Sequence, residues 1–185
     1  MRTFIAIEIP AAIKMELAKL QAELRRTGAD VGWTNPDNIH LTLRFLGEIE
    51  EARLTGLKQL CVEIAAEFQP FTLRLKDTGY FPNFKQPRVL WAGLAGEISI
   101  AQELQRRLEA GLTALGFDPE DKPFKPHLTI GRVKSSKNIQ QLVAKSDMYP
   151  LPELSFEVGE IVVMKSELHP AGARYTPQAK VKLGG

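Results

Sequence analysis

A four-residue phrase occurs twice in the chain, as His40-Leu41-Thr42-Leu43 and as His127-Leu128-Thr129-Ile130. In a β-strand, successive side chains alternate between faces, so a histidine and a threonine at i and i+2 share one face while the leucine and isoleucine residues point to the other. Each phrase therefore predicts a strand that buries one face in a core and presents an imidazole beside a hydroxyl on the other. Two of the three histidines in the chain lie in these phrases.

The surrounding pattern predicts an α+β arrangement in which one half repeats the other. Arg2 to Ile9 alternates as a strand closed by Pro10, and Ile13, Leu17, Leu20 and Leu24 recur at helical spacing before Gly28. Asn35-Pro36-Asp37-Asn38 then turns the chain into the first His/Thr strand, Ile39 to Leu46, ended by Gly47. Leu54, Leu57, Cys61, Ile64 and Phe68 mark a second helix, followed by strands over Phe71 to Lys76 and Val89 to Ala92. A third helix carrying Leu104, Leu108, Leu112 and Leu115 stops at Gly116, and a proline-rich segment leads into the second His/Thr strand, His127 to Val133. A helix over Asn138 to Lys145 and strands near Phe156 to Leu168 and Tyr175 to Leu183 complete the reading. Helix, stop glycine, proline-containing approach and His/Thr strand thus occur twice in the same order, which reads as an internal duplication. Residues 1–185 are expected to form a single domain of two intimately packed lobes, whose approximate twofold would bring the two His/Thr strands (about 39–46 and 127–133) to one groove.

The totals set the context. A chain of 185 residues can bury roughly 70% of its unfolded surface without disulfides. Its single cysteine, Cys61, falls at a core-facing helical position and fits a reducing, cytoplasmic location. The first ten residues lack a cleavage-like site and no run approaches the roughly 20 apolar residues of a membrane span, so no membrane association is expected. A net charge of +2 excludes the broad basic excess of a duplex-DNA binder, and any nucleic-acid contact should be local.

Histidine, with an ordinary pKa near 6.5, can give or take a proton near neutrality. Two imidazoles opposed across a phosphodiester can divide the work, one removing a proton from attacking water and the other protonating the departing oxygen, with neither metal nor cofactor. The threonine hydroxyls and a cation would stabilise charge on the non-bridging oxygens. Three dispersed histidines without a His-x-x-x-His or cysteine cluster do not make a zinc site.

Phe45-Leu46-Gly47-Glu48 after the first phrase, Gly131-Arg132 after the second, the opening Thr3-Phe4-Ile5-Ala6-Ile7, Trp33, Val89-Leu90-Trp91-Ala92-Gly93 and Lys125-Pro126-His127 together resemble the 2H phosphoesterases, in particular the RNA 2′,3′-cyclic phosphodiesterases historically called 2′-5′ RNA ligases. The resemblance implies a bilobal fold with two antiparallel sheets flanking a central groove and helices outside. It also implies hydrolysis of 2′,3′-cyclic phosphate ends of RNA, or of such nucleotides, to 2′-phosphates by a cofactor-free monomer. His40 would then be the proton donor and His127 the acceptor, with Thr42, Thr129 and Arg132 holding phosphate and Phe45 stacking on a base. Strand parity conflicts with the last two roles. Arg132 and Phe45 each lie five residues after their histidine, so a regular strand turns them away from the groove, and only a bulge or strand end would redirect them. Arg44 has groove parity but also suits a solvated charge, and Trp33, Tyr80, Phe81 and Phe84 are either base platforms or core. His169, before Pro170, reads as a turn residue. Two rivals remain open: ligation forming a 2′-5′ linkage, the microscopic reverse, and a nucleotide- or RNA-binding module without turnover.

Overall fold

The computed structural model describes residues 1–184 and contains, among them, nine strands and four α-helices. The strands are β1 (Arg2–Glu8), β2 (Val31–Trp33), β3 (His40–Glu48), β4 (Phe71–Phe81), β5 (Val89–Gly96), β6 (His127–Val133), β7 (Ser155–Val158), β8 (Glu160–Glu167) and β9 (Arg174–Lys182). The helices are α1 (Ala11–Arg25), α2 (Leu54–Ala65), α3 (Ile98–Ala114) and α4 (Ile139–Met148). The strands run antiparallel to their neighbours in the order β7-β4-β5-β6-β3-β1-β8-β9, with β2 added to β6.

This path consists of two four-stranded halves joined at one residue pair. The His/Thr strands β3 and β6 meet only at Leu41 opposite Leu128, the residue after each histidine. Both leucines are buried, so the seam is held by the apolar faces of the two phrases while the histidines flank it. The α+β class is present, and the two antiparallel sheets that the resemblance implies are two halves of one nine-stranded sheet, continuous through this pair.

The helices bury the faces that their spacing predicts. Ile13, Leu17, Leu20 and Leu24 of α1, and Leu104, Leu108 and Leu112 of α3, enter one large core with Leu41, Leu43, Leu128 and Ile130. Cys61 is also there, and burial pushes its thiol pKa up to about 12. Strand β1 is buried on both faces: Ile5 and Ile7 join this core, whereas Phe4 and Ala6 form a second, smaller cluster with Val162 and Met164. No helix among the described residues is long and apolar enough to cross a membrane.

Two parts of the chain differ from the periodicity reading. The single strand expected over Phe156 to Leu168 is two, broken at Gly159, with β7 pairing β4 in one half and β8 pairing β1 in the other. Each lobe therefore draws strands from distant parts of the chain. The short β2 was not expected, because three residues ending in Trp33 carry too little alternation to stand out. Gly131 of β6 admits it: a Cβ there would lie 2.6 Å from a Val31 methyl.

Candidate active site

The two His/Thr phrases open onto one cavity of about 250 Å³. His40, Thr42, Phe45, His127, Thr129 and Arg132, the six residues singled out in the sequence, all line it. The parity conflict is resolved by a bulge in each strand. Along the β1–β3 ladder, Ala6 pairs with Thr42 and Ile5 with Arg44, so Leu43 is an extra residue. Along the β5–β6 ladder, Trp91 pairs with Thr129 and Leu90 with Gly131, so Ile130 is the extra one. An added residue reverses the facing of everything after it, which returns Phe45 and Arg132 to the face of His40 and His127.

Each bulge has its own brace. The carbonyl of Ile130 accepts from the buried Gln21 side-chain amide at 2.9 Å and from the Thr34 amide at 2.9 Å, while Gln21 also donates to the Thr34 carbonyl at 2.7 Å. Gln21 sits on the core-facing side of α1 at 2% exposure. A polar residue at an otherwise apolar helical position is the signal that could have marked it. On β3, Arg44 does not face the groove as free charge. It donates to Glu109 of α3 at 2.7 Å, lies 3.7 Å from Glu120, and reaches the carbonyls of Phe45 and Asp118. It ties the bulged strand to the helix behind it.

Both imidazoles are oriented in the same way. His40 Nδ1 lies 2.6 Å from the Asn38 carbonyl and His127 Nδ1 lies 2.6 Å from the Lys125 carbonyl. A carbonyl only accepts, so Nδ1 carries the proton in each ring and Nε2 is the atom left to change protonation. His40 Nε2 lies 2.9 Å from the Thr42 hydroxyl.

Aromatic residues shape the floor. Phe4 stacks on His40 with ring centroids 4.8 Å apart and on Phe45 at 5.4 Å, and Tyr175 meets His40 edge-on at 5.3 Å. Phe81 meets His127 edge-on at 4.8 Å. Burial lowers the pKa of both histidines from the ordinary 6.5. For His40 the Asn38 carbonyl opposes this, Lys14 adds to the lowering and Glu8 opposes it. For His127 the Lys125 carbonyl opposes it and Arg132 adds to it.

Phe45 is 41% exposed, so its ring is available to a ligand rather than sealed in the core. The remaining aromatic candidates separate. Phe81 lines an adjoining hollow of about 570 Å³ that shares His127, Thr129 and Arg132 with the first cavity. Tyr80 is buried and hydrogen-bonded to Ser146, Trp33 packs partly buried against the core beneath Arg25, and Phe84 is exposed on the loop after β4. His169 is an exposed turn residue whose Nδ1 accepts from the Ala171 amide at 3.3 Å. Phe4 and Tyr175 went unnoticed in the sequence, because nothing in alternation alone reveals that β1 is covered on both faces. Among the described residues no three His, Cys, Asp or Glu side chains converge as a metal-binding group.

A half-sheet pair with paired imidazoles, hydroxyls and a cation in one groove defines a phosphoesterase-type site, and similarity to known proteins agrees. The model of the LigT-like phosphoesterases matches residues 7–91 and 96–175, and the chain belongs to that family. An RNA 2′,3′-cyclic phosphodiesterase of Methanocaldococcus jannaschii is 36% identical over 176 residues, covering 95% of this chain and 96% of that one. The crystal structure of TT0787 of Thermus thermophilus superposes with a TM-score of 0.82 at 33% identity, over 100% of this chain and 99% of that one. E. coli LigT complexed with 3′-AMP gives 0.79 at 27% identity, over 98% and 97%.

Proposed function

We propose that the chain hydrolyses the 2′,3′-cyclic phosphate ends of RNA, and nucleotides bearing the same group, to 2′-phosphomonoesters. The observation that carries this reading is the matched pair of imidazoles, each with Nδ1 tied to the carbonyl two residues earlier, lining one cavity. His127 Nε2 takes a proton from water as the water oxygen bonds to phosphorus. His40 Nε2 gives a proton to the 3′-oxygen as the phosphorus–3′-oxygen bond breaks. Burial, and to a smaller extent the neighbouring Arg132, favours the neutral, accepting form of His127. Thr42, Thr129 and Arg132 hold the non-bridging oxygens, where charge accumulates in the transition state, and Phe45 stacks on the terminal base.

The relatives named RNA 2′,3′-cyclic phosphodiesterase support this substrate class. The reading includes a metal- and cofactor-free mechanism in a cytoplasmic monomer, with residues 1–185 as one domain of two duplicated lobes. Its test is turnover of a 2′,3′-cyclic nucleotide in EDTA with end-group analysis of the product. An undiminished rate yielding a 2′-phosphate is expected. Absence of turnover, loss of activity to the chelator or a 3′-phosphate product would contradict it.

A further inference from the structure

The cationic surface of β6 continues beyond the groove. Two residues after Arg132, Lys134 enters a separate cleft of about 630 Å³ together with Lys85, Gln86, Arg88, Ser135 and Ser136. The β5–β6 ladder brings these residues together, with Val89 opposite Arg132 and the Val133 amide donating to the Arg88 carbonyl at 2.9 Å. Lys85, Arg88, Arg132 and Lys134 are all exposed. Lys134 has a seat for its stem: a Cβ on Gly32 of β2 would lie 3.0 Å from Lys134 Cε. Its aliphatic part packs while its ammonium group reaches water.

The cleft gathers cations without an acidic side chain among them. Among the described residues Lys85, Arg88 and Lys134 join no ion pair. Converging cations without counter-charges repel one another, and a polyanion relieves that repulsion while releasing its own counterions. The other ways out of the groove differ in composition. The hollow beyond Phe81 also carries cations, Lys122 and Lys125, but sets Glu120 among them and is lined largely by apolar side chains, and the rim near Tyr175 places Arg2 beside Ser166, Leu168 and Ala173.

We infer that this cleft holds the sugar–phosphate backbone of the RNA upstream of its cyclic end, which makes an oligonucleotide rather than a lone cyclic nucleotide the preferred substrate. The inference rests on the phosphodiesterase reading above and extends it from the reacting phosphate to its neighbours. Extended residues advance about 3.3 Å each, so Arg132 of β6 and Lys134, the second residue on and just past the end of that strand, stand at most about 6.6 Å apart along the chain, a step that suits neighbouring phosphates of an extended single strand. A row of cations beside an aromatic platform is how single strands are gripped without regard to sequence; here the cleft supplies the row and Phe45 the platform.

The test compares kcat/KM for a 2′,3′-cyclic mononucleotide and for a roughly six-nucleotide RNA ending in a cyclic phosphate, in the unaltered protein and in the Arg88→Gln/Lys134→Gln double variant. The unaltered protein should favour the oligonucleotide by about tenfold or more at low salt, and the double variant should lose that preference with the mononucleotide unaffected. The slope of log kcat/KM against log salt for the oligonucleotide should shrink by about 0.7 for each charge removed, and Lys134→Arg should restore its share. If the unaltered protein turns over both substrates equally well, or the double variant slows both alike, the cleft does not bind the RNA, while the phosphodiesterase reading stands. If neither substrate is hydrolysed, that reading fails and this inference with it.

Discussion

The two halves of the groove share a scaffold and differ in what they mount on it. Both His/Thr strands orient the imidazole through the same backbone bond at 2.6 Å and insert one extra residue after the threonine. Both use that insertion to turn the residue five places on from the histidine into the cavity. On β3 that residue is Phe45, on a floor where Phe4 also stacks against His40; on β6 it is Arg132, a cation next to His127. A repeated backbone device thus yields an aromatic side, with Arg2 over the Phe45 ring, that suits a base and a charged side that suits a phosphate. At this position the chemical difference lies in the side chain presented rather than in the backbone device that presents it.

Removing the shared element should have the largest effect. His40→Ala and His127→Ala should each slow the chemical step by about 10² to 10⁴ while leaving nucleotide affinity largely intact. Single-turnover rates beside equilibrium binding check this, and near-normal turnover in either variant would strip that residue of its role.

The unshared elements should separate in kind. Arg132→Ala should cost about 1.5 to 3 kcal/mol of binding for every cyclic phosphate regardless of base, as expected for a lost charged hydrogen bond. Phe45→Ala should cost about 1 to 3 kcal/mol only where a base is present to stack. Affinities for cyclic nucleotides and for a cyclic phosphate lacking a base distinguish them; equal losses on both ligands in both variants would erase the proposed division.

A smaller effect should follow from the brace found only on the Arg132 side. Gln21→Leu leaves the Thr34 carbonyl without its buried donor and the Ile130 carbonyl with one fewer, which should cost about 1 to 3 kcal/mol of stability. It should also raise KM through a loosened Arg132. Urea unfolding reads the first and steady-state kinetics the second; an unchanged midpoint would mean that the bulge needs no brace.

Much of this was legible before any coordinates. The paired phrases identified four groove residues because period-two alternation fixes which side chains share a face, and apolar spacing located α1, α2 and α3. Parity alone placed Phe45 and Arg132 wrongly, since a bulge is an insertion in one strand relative to its partner and cannot be seen in that strand alone. The family resemblance overrode parity on both, and the ladders show why. Gln21, Phe4 and Tyr175 stayed hidden because their roles depend on long-range pairing: Gln21 reaches Ile130 across 109 residues of sequence, and Tyr175 meets His40 because β9 and β3 share one lobe. Arg44 was readable as a charge but not as a tie to Glu109, for the same reason.

The division of labour between the two rings is tested most directly by the pH dependence of kcat/KM in three proteins. With burial lowering both imidazole pKa values from 6.5, the unaltered protein should give a bell on the acid side of that value, rising as His127 loses its proton and falling as His40 loses its own. His127→Ala should lose the rising limb alone, and His40→Ala the falling limb alone. Both limbs persisting in either variant, or the two variants losing the opposite limbs, would contradict the assignment of donor and acceptor.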